Sequence, residues 1–232
     1  NKELIAWILK FNSNLKSRQI TLDEYLETAQ ISKNSNEEKE IKNIYYILAK
    51  NKSSTKSNPF LSQFNKQNID VIILSDNIDE WIIQTLSEYK WNKLISITSD
   101  EVELKNSKDE EEKLKEEQIW FKDLLELAKN TIWTDKVQEV KITNRLWENI
   151  WALSSPKWTL TPQMEKMMRQ MWQEIPSQKR ILELNPENNF VKNMLEEFKK
   201  DVQSQKLQDM INYSYDQAIL LEWWEIKDIK WF

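Results

Sequence analysis

The chain of 232 residues contains no cysteine, no histidine and no glycine. Without cysteine there is no disulfide, no thiolate zinc site and no cysteine nucleophile, and a reducing compartment is permitted. Without histidine the commonest general base and metal ligand is missing, which excludes histidine triads and histidine-ligated zinc. Without glycine there is no glycine-rich phosphate loop and no GxGxxG turn, both of which need positive φ and close backbone approach. A soluble protein of this length should hold roughly sixteen glycines at the usual frequency of about 7%, so zero is not chance. No apolar run reaches the roughly eighteen residues of a membrane span, and no charged-then-apolar secretory leader is visible. The net charge of −5 is mild and offers no basic stripe for nucleic acid.

Tryptophan, by contrast, occurs twelve times. Several copies stand where a helix should stop and glycine is favoured: Trp133, Trp172, and the pair Trp223 and Trp224. This is the pattern expected if a UGA codon meaning glycine were read as tryptophan. Hydrophobic residues make up 40% and charged residues 31%, enough for a real core under a well-solvated surface. The length suits two domains, and the opening Asn1 suggests an internal stretch of a longer chain.

In chain order, residues 4–11 read as the end of a helix and 20–29 as a second helix with Thr21 near its start. Three short β-branched or aromatic runs follow, at 44–48, 71–74 and 93–98, separated by stretches long enough for helical crossovers. That spacing predicts an α/β unit, a small three-stranded parallel βαβαβ sheet covered by helices. Between the second and third runs, 75–89 reads as a helix capped by Asp76, with Ile78, Ile82, Leu86 and Tyr89 inward, Glu80, Gln84 and Glu88 outward, and Trp81 at the margin. A charge-dense run from Asp100 marks the boundary, giving domains 1–102 and 103–232.

The second domain reads as mixed α+β. A helix carries Phe121, Leu124, Leu125 and Ala128 on one side, and a strand pair follows at 137–146 and 152–154. The stretch 159–185 then holds a helix opened by Thr161 and Pro162, with Met164, Met167, Met168 and Met171 on one face and Glu165, Lys166, Arg169 and Gln170 on the other. Such a stripe is either core or an adaptable surface for apolar partners, because the thioether is unbranched and polarizable. A strand at 180–184 and a short helix from Pro186 precede a long helix over 198–222. Leu207, Met210, Ile211, Ser214, Ala218 and Leu221 form one stripe of that helix, with Tyr213, Ile219 and Leu220 outside it. Two apolar sides on one helix predict self-association.

The stretches IKNIYYILA (41–49), SNPFLSQFNKQNIDVIILSDNIDEW (57–81), TLSEYKWNKLISIT (85–98), DKVQEVKITNRL (135–146), TPQMEKMM (161–168), SQKRILELNPENNFVK (177–192) and DQAILLE (216–222) together resemble the heat shock protein 90 chaperone family of bacterial type. Trp91, Trp133, Trp172 and Trp224 fall where that family has glycine, as does Asn68, and Asn77 where it often has proline. The resemblance implies the distal part of the middle domain followed by the C-terminal dimerisation domain of a cytoplasmic homodimer, with the last helix missing. ATP and Mg2+ are then bound in N-terminal parts outside the matching stretch, leaving this part no enzyme of its own. It further implies that Glu80, Trp81, Gln84, Leu160, Met164, Met167 and Met168 touch non-native client proteins, and that neither nucleic acid nor membrane is a partner. Two rival readings are a structural dimer or adaptor without clients, and an α/β enzyme working with carboxylates alone.

Overall fold

The run NIYYIL at Asn43–Leu48 is apolar almost throughout, and all but its first residue are buried, which is the pattern of a central strand covered on both faces. The computed structural model describes residues 8–31, 43–49, 52, 54–76, 79, 85–102, 104, 108–132, 136–157, 159–160, 165, 168–169 and 178–223. Contacts divide the chain into two units, 1–102 and 103–232, and each is described by itself.

In chain order the first unit contains β1 (Asn12–Ser13), α1 (Leu22–Ile31), β2 (Asn43–Leu48), a 3-10 turn at Ser54–Ser57, α2 (Leu61–Lys66), β3 (Ile72–Leu74), β4 (Glu88–Tyr89) and β5 (Asn92–Ser96). The strands form one sheet in the order β1-β3-β2-β5-β4. β2 runs parallel to β3, with Ile47 opposite Ile73, and parallel to β5, with Ile44 opposite Leu94. The sheet is five-stranded and mixed, not three-stranded and wholly parallel, because β1 and β4 pair antiparallel to β3 and β5 at its edges. These edge strands are two residues long and polar in part, too short to show an alternation in sequence.

Local chemistry fixes α1 through a reciprocal cap. The Glu24 amide donates to Thr21 Oγ1 at 3.2 Å and the Thr21 amide to Glu24 Oε2 at 3.0 Å. Tyr25 on this helix is 1% exposed, and its hydroxyl donates to Asp70 O at 2.8 Å and accepts from the Tyr45 amide at 3.1 Å. The helix expected over 75–89 does not reach its predicted end. Glu88–Tyr89 form β4, so Tyr89 is buried as a sheet residue, with its hydroxyl donating to Asp23 Oδ1 at 2.8 Å. At the start of that segment the cap comes from Asp79, not from Asp76 as expected: its carboxylate reaches back and accepts from the Ser75 and Asp76 amides at 3.1 Å each.

The second unit contains α3 (Lys108–Thr131), β6 (Val137–Ile142), β7 (Trp151–Ser154), β8 (Arg180–Leu184), α4 (Asn189–Lys200) and α5 (Gln205–Trp223). β8 is buried at every residue and lies at the centre, parallel to β6 and antiparallel to β7. The expected pairing of the 137–146 and 152–154 strands is therefore corrected: β8 separates them. Phe121, Leu124 and Ala128 of α3 pack with Val140, Leu153, Leu182, Val191, Leu207 and Ile211 into one core.

The long helix expected over 198–222 is two helices. Asp201 ends α4 in extended geometry, φ −155° and ψ 108°, and its carboxylate accepts from the Gln203 amide at 2.9 Å. This local turn competes with helix continuation. Nor does α4 start at Pro186: Asn188 Oδ1 accepts from the Phe190 amide at 2.8 Å and caps it two residues later.

Candidate functional site

The polypeptide leaving β7 turns at Pro156, whose carbonyl accepts from the Thr159 hydroxyl at 2.7 Å. The Leu160 amide then donates to Gln178 Oε1 at 3.2 Å, tying this loop to the residues just before β8. Leu160 is half-buried, as is Met168 further along, and among the described residues neither is part of the buried core cluster. Of the other residues expected to meet clients, Glu80, Trp81, Gln84, Met164 and Met167 lie outside the described residues.

Glu165 departs from the sequence reading. Periodicity assigns it to the polar face, yet it is 9% exposed. The reason is a partner more than ten residues away. Arg180, at the start of β8, donates from Nη2 to Glu165 Oε2 at 2.9 Å and from Nε to Glu222 Oε1 of α5 at 3.1 Å. Arg169 donates to the other oxygen of Glu165 at 3.0 Å. Burial works to raise the Glu165 carboxyl, but hydrogen bonds from Arg169 and Arg180 outweigh it and hold the group below its ordinary value. Two carboxylates and two guanidinium groups thus balance in charge, and an acid takes an inward position on the methionine segment, with Met168 only half-buried beside it. Sequence reasoning missed Arg180 and Glu222. The signal for Arg180 was there, a charge opening the otherwise buried run RILEL.

A second ionic cluster is sealed. Glu183 has no exposed surface, accepts from Ser154 Oγ at 2.6 Å, and lies 2.9 Å from Arg145 Nε and 3.8 Å from Lys141 Nζ. A carboxylate closed off in this way pins β7 to β8 and is open to no substrate. Among the described residues no group of three or more acidic side chains is placed to hold a metal ion. No glycine is present from which a phosphate-cradling loop could be built. Among the described residues no helix is long and apolar enough to cross a membrane.

On α5 the expected association stripe divides. Leu207, Ile211 and Ala218 are at most 1% exposed and serve the unit's own core, Ser214 is equally buried with its hydroxyl donating to Met210 O at 2.8 Å, and Met210 is packed partly against that core. Leu221 is exposed, together with Tyr213 and Leu220 outside the stripe. The outward apolar side of the helix therefore carries Leu220 and Leu221, while Tyr213 is half-exposed with its ring edge-on to Trp151.

The Hsp90 protein family model matches residues 1–232. The chain is 33% identical over 231 residues to the chaperone protein HtpG of Vesicomyosocius okutanii subsp. Calyptogena okutanii, covering 98% of this chain and 35% of that protein. It is 34% identical over 225 residues to the HtpG of Buchnera aphidicola subsp. Schizaphis graminum, covering 96% and 34%. With the HtpG of Nitrosococcus oceani it shares 30% over 227 residues, again 96% and 34%. The chain thus spans about a third of the length of these relatives.

Proposed function

The chain belongs to the Hsp90 family, and from that premise we propose that it is the client-binding and self-associating portion of a bacterial-type molecular chaperone. ATP binding and hydrolysis belong, in this reading, to the parts of the longer relatives outside the matched stretch, and this portion acts by holding non-native protein in the cytoplasm. The residues that would meet clients are Glu80, Trp81 and Gln84 in the first unit, and Leu160, Met164, Met167 and Met168 in the second. The observation that carries it is the inward turn of Glu165 onto Arg180, with Leu160 and Met168 half-buried outside the core. Thioether and isobutyl groups in that position offer adaptable apolar contact to many partners. Self-association as a homodimer uses the outward side of α5, where Leu221 is exposed.

The test is suppression of aggregation of an unfolded protein by the full-length chaperone, wild type against Met168→Gln and Trp81→Gln. Severalfold weaker protection is expected, with folding stability within about 0.5 kcal/mol of wild type, as for surface positions. Equal loss of stability and protection would return both residues to the core. Unchanged protection in both variants would favour an adaptor without clients.

A further inference from the structure

Two tryptophans occupy turns whose backbone calls for glycine. β4 and β5 are joined by the two-residue loop Lys90-Trp91, between the opposed residues Tyr89 and Asn92. Both loop residues have positive φ, 46° at Lys90 and 67° at Trp91. Positive φ at both central residues is what a type I′ hairpin turn requires, since its twist then matches that of the strands it joins. Asn-Gly, Asp-Gly and Gly-Gly dominate such loops because the left-handed region brings Cβ against the carbonyl oxygen. A bulky aromatic at the second position runs against that preference.

The second case is Trp147. The Asn149 amide donates to Leu146 O at 3.0 Å and closes a four-residue turn. Trp147 is its first central residue, with φ 53°. Positive φ there marks the primed turns, again glycine-rich. The conformation is held from outside: Asn185 Nδ2, just past β8, donates to the carbonyls of Trp147 at 2.6 Å and Asn149 at 3.0 Å. Relaxing Trp147 to negative φ would disturb both bonds.

The Trp91 indole has almost no burial to offset this. Trp91 is 93% exposed and Trp147 45%. Trp151 shows the contrast: it is 7% exposed and meets Phe190 and Tyr213 edge-on at 5.3 and 5.7 Å.

We propose that positions 91 and 147 carry glycine in the protein its own cell makes, through a reassigned codon written here as tryptophan. UGA fits, being one base from the tryptophan codon UGG and one from the glycine codon GGA. A surplus of tryptophan, twelve copies, with a deficit of glycine is what such a reassignment leaves. The functional consequence is that 91 and 147 are tight, bare turns and not contact aromatics. Apolar binding then rests on side chains elsewhere.

Peptide mass spectrometry of the protein purified from its source cells is the direct test. The expected result is glycine at both positions, each peptide lighter by the difference between the two residues, and tryptophan at either position overturns the assignment there. A second test uses the full-length protein made with tryptophan at all positions. Trp91→Gly is expected to lower the unfolding equilibrium constant about fivefold relative to both the parent and Trp91→Ala, because only glycine relieves the Cβ. If alanine stabilises as much as glycine, the gain comes from losing an exposed indole, and the backbone argument fails.

Discussion

Arg180 and Glu165 meet at 2.9 Å across fifteen positions of sequence, and the same guanidinium reaches Glu222 at 3.1 Å. One arginine at the entry of the central strand therefore holds both the methionine segment and the last turns of α5. Its side chain is 9% exposed, and those of Glu165 and Glu222 are 12% and 14% exposed. This bridge connects the proposed client segment with the helix proposed to face a second subunit.

Removing one member of such a set leaves the others buried without compensation. Arg180→Gln is expected to destabilise the second unit by about 3 kcal/mol, near the lower end of what breaking buried pairs costs. Arg180→Met combined with Glu165→Met and Glu222→Met is expected to recover most of that loss, since no buried charge is left unpaired and Arg169, with its side chain 48% exposed, is solvated. Urea denaturation of the single and triple variants checks both outcomes. Equal instability in the two would mean that charge balance is not what the bridge supplies.

The same carboxyl sets a pH dependence. The folded pKa of Glu165 lies below its ordinary value of 4.5. The unfolded state therefore binds more protons in that range, and stability rises with pH there. The contribution of Glu165 is complete above the ordinary glutamate value and is lost as pH falls through the lowered folded one. Glu165→Gln should flatten the stability profile in that acid window, measured by denaturation at a series of pH values. A slope identical to wild type would show that the pairing is not felt.

The break between α4 and α5, and the start of α4, rest on polar caps. Asn188→Ala removes the oxygen that accepts from the Phe190 amide. A loss of about 1 kcal/mol is expected, the usual effect of deleting an N-cap. Thermal and chemical unfolding would show it, and no change would mean that solvent satisfies the amide as well as Asn188 does.

The two sides of α5 should respond oppositely to charge. Leu221→Asp is expected to weaken self-association at least tenfold while changing fold stability by about 0.5 kcal/mol or less, as for an exposed position. Ile211→Asp, at a position 1% exposed, should unfold the unit outright. Sedimentation velocity alongside denaturation separates the two effects, and a Leu221→Asp protein that associates like wild type would place the interface elsewhere.

Much of this was legible in the residues. The three apolar runs became β2, β3 and β5 because β-branched and aromatic side chains suit a buried sheet, and the stripe on α3 faces the core as its spacing requires. The charge-dense run from Asp100 lies where the two units divide. The absent cysteine and histidine bounded the chemistry, and the separated motifs carried the family.

Other features were settled only by the fold. Periodicity says which residues share a helix face but not which face meets the protein, so Glu165 was read outward until Arg180 from a distant strand gave it an ionic partner. For the same reason the stripe of Leu207, Ile211, Ser214 and Ala218 was read as an interface between copies, whereas packing against α3 and the sheet makes it core. β8 came between two strands read as neighbours, a long-range pairing that no local pattern encodes. Composition and short-range spacing fix what each segment can become. Which segments meet depends on contacts between residues far apart in the chain, and those contacts decided the ionic bridge, the outward side of α5 and the turn at Trp147, held by Asn185.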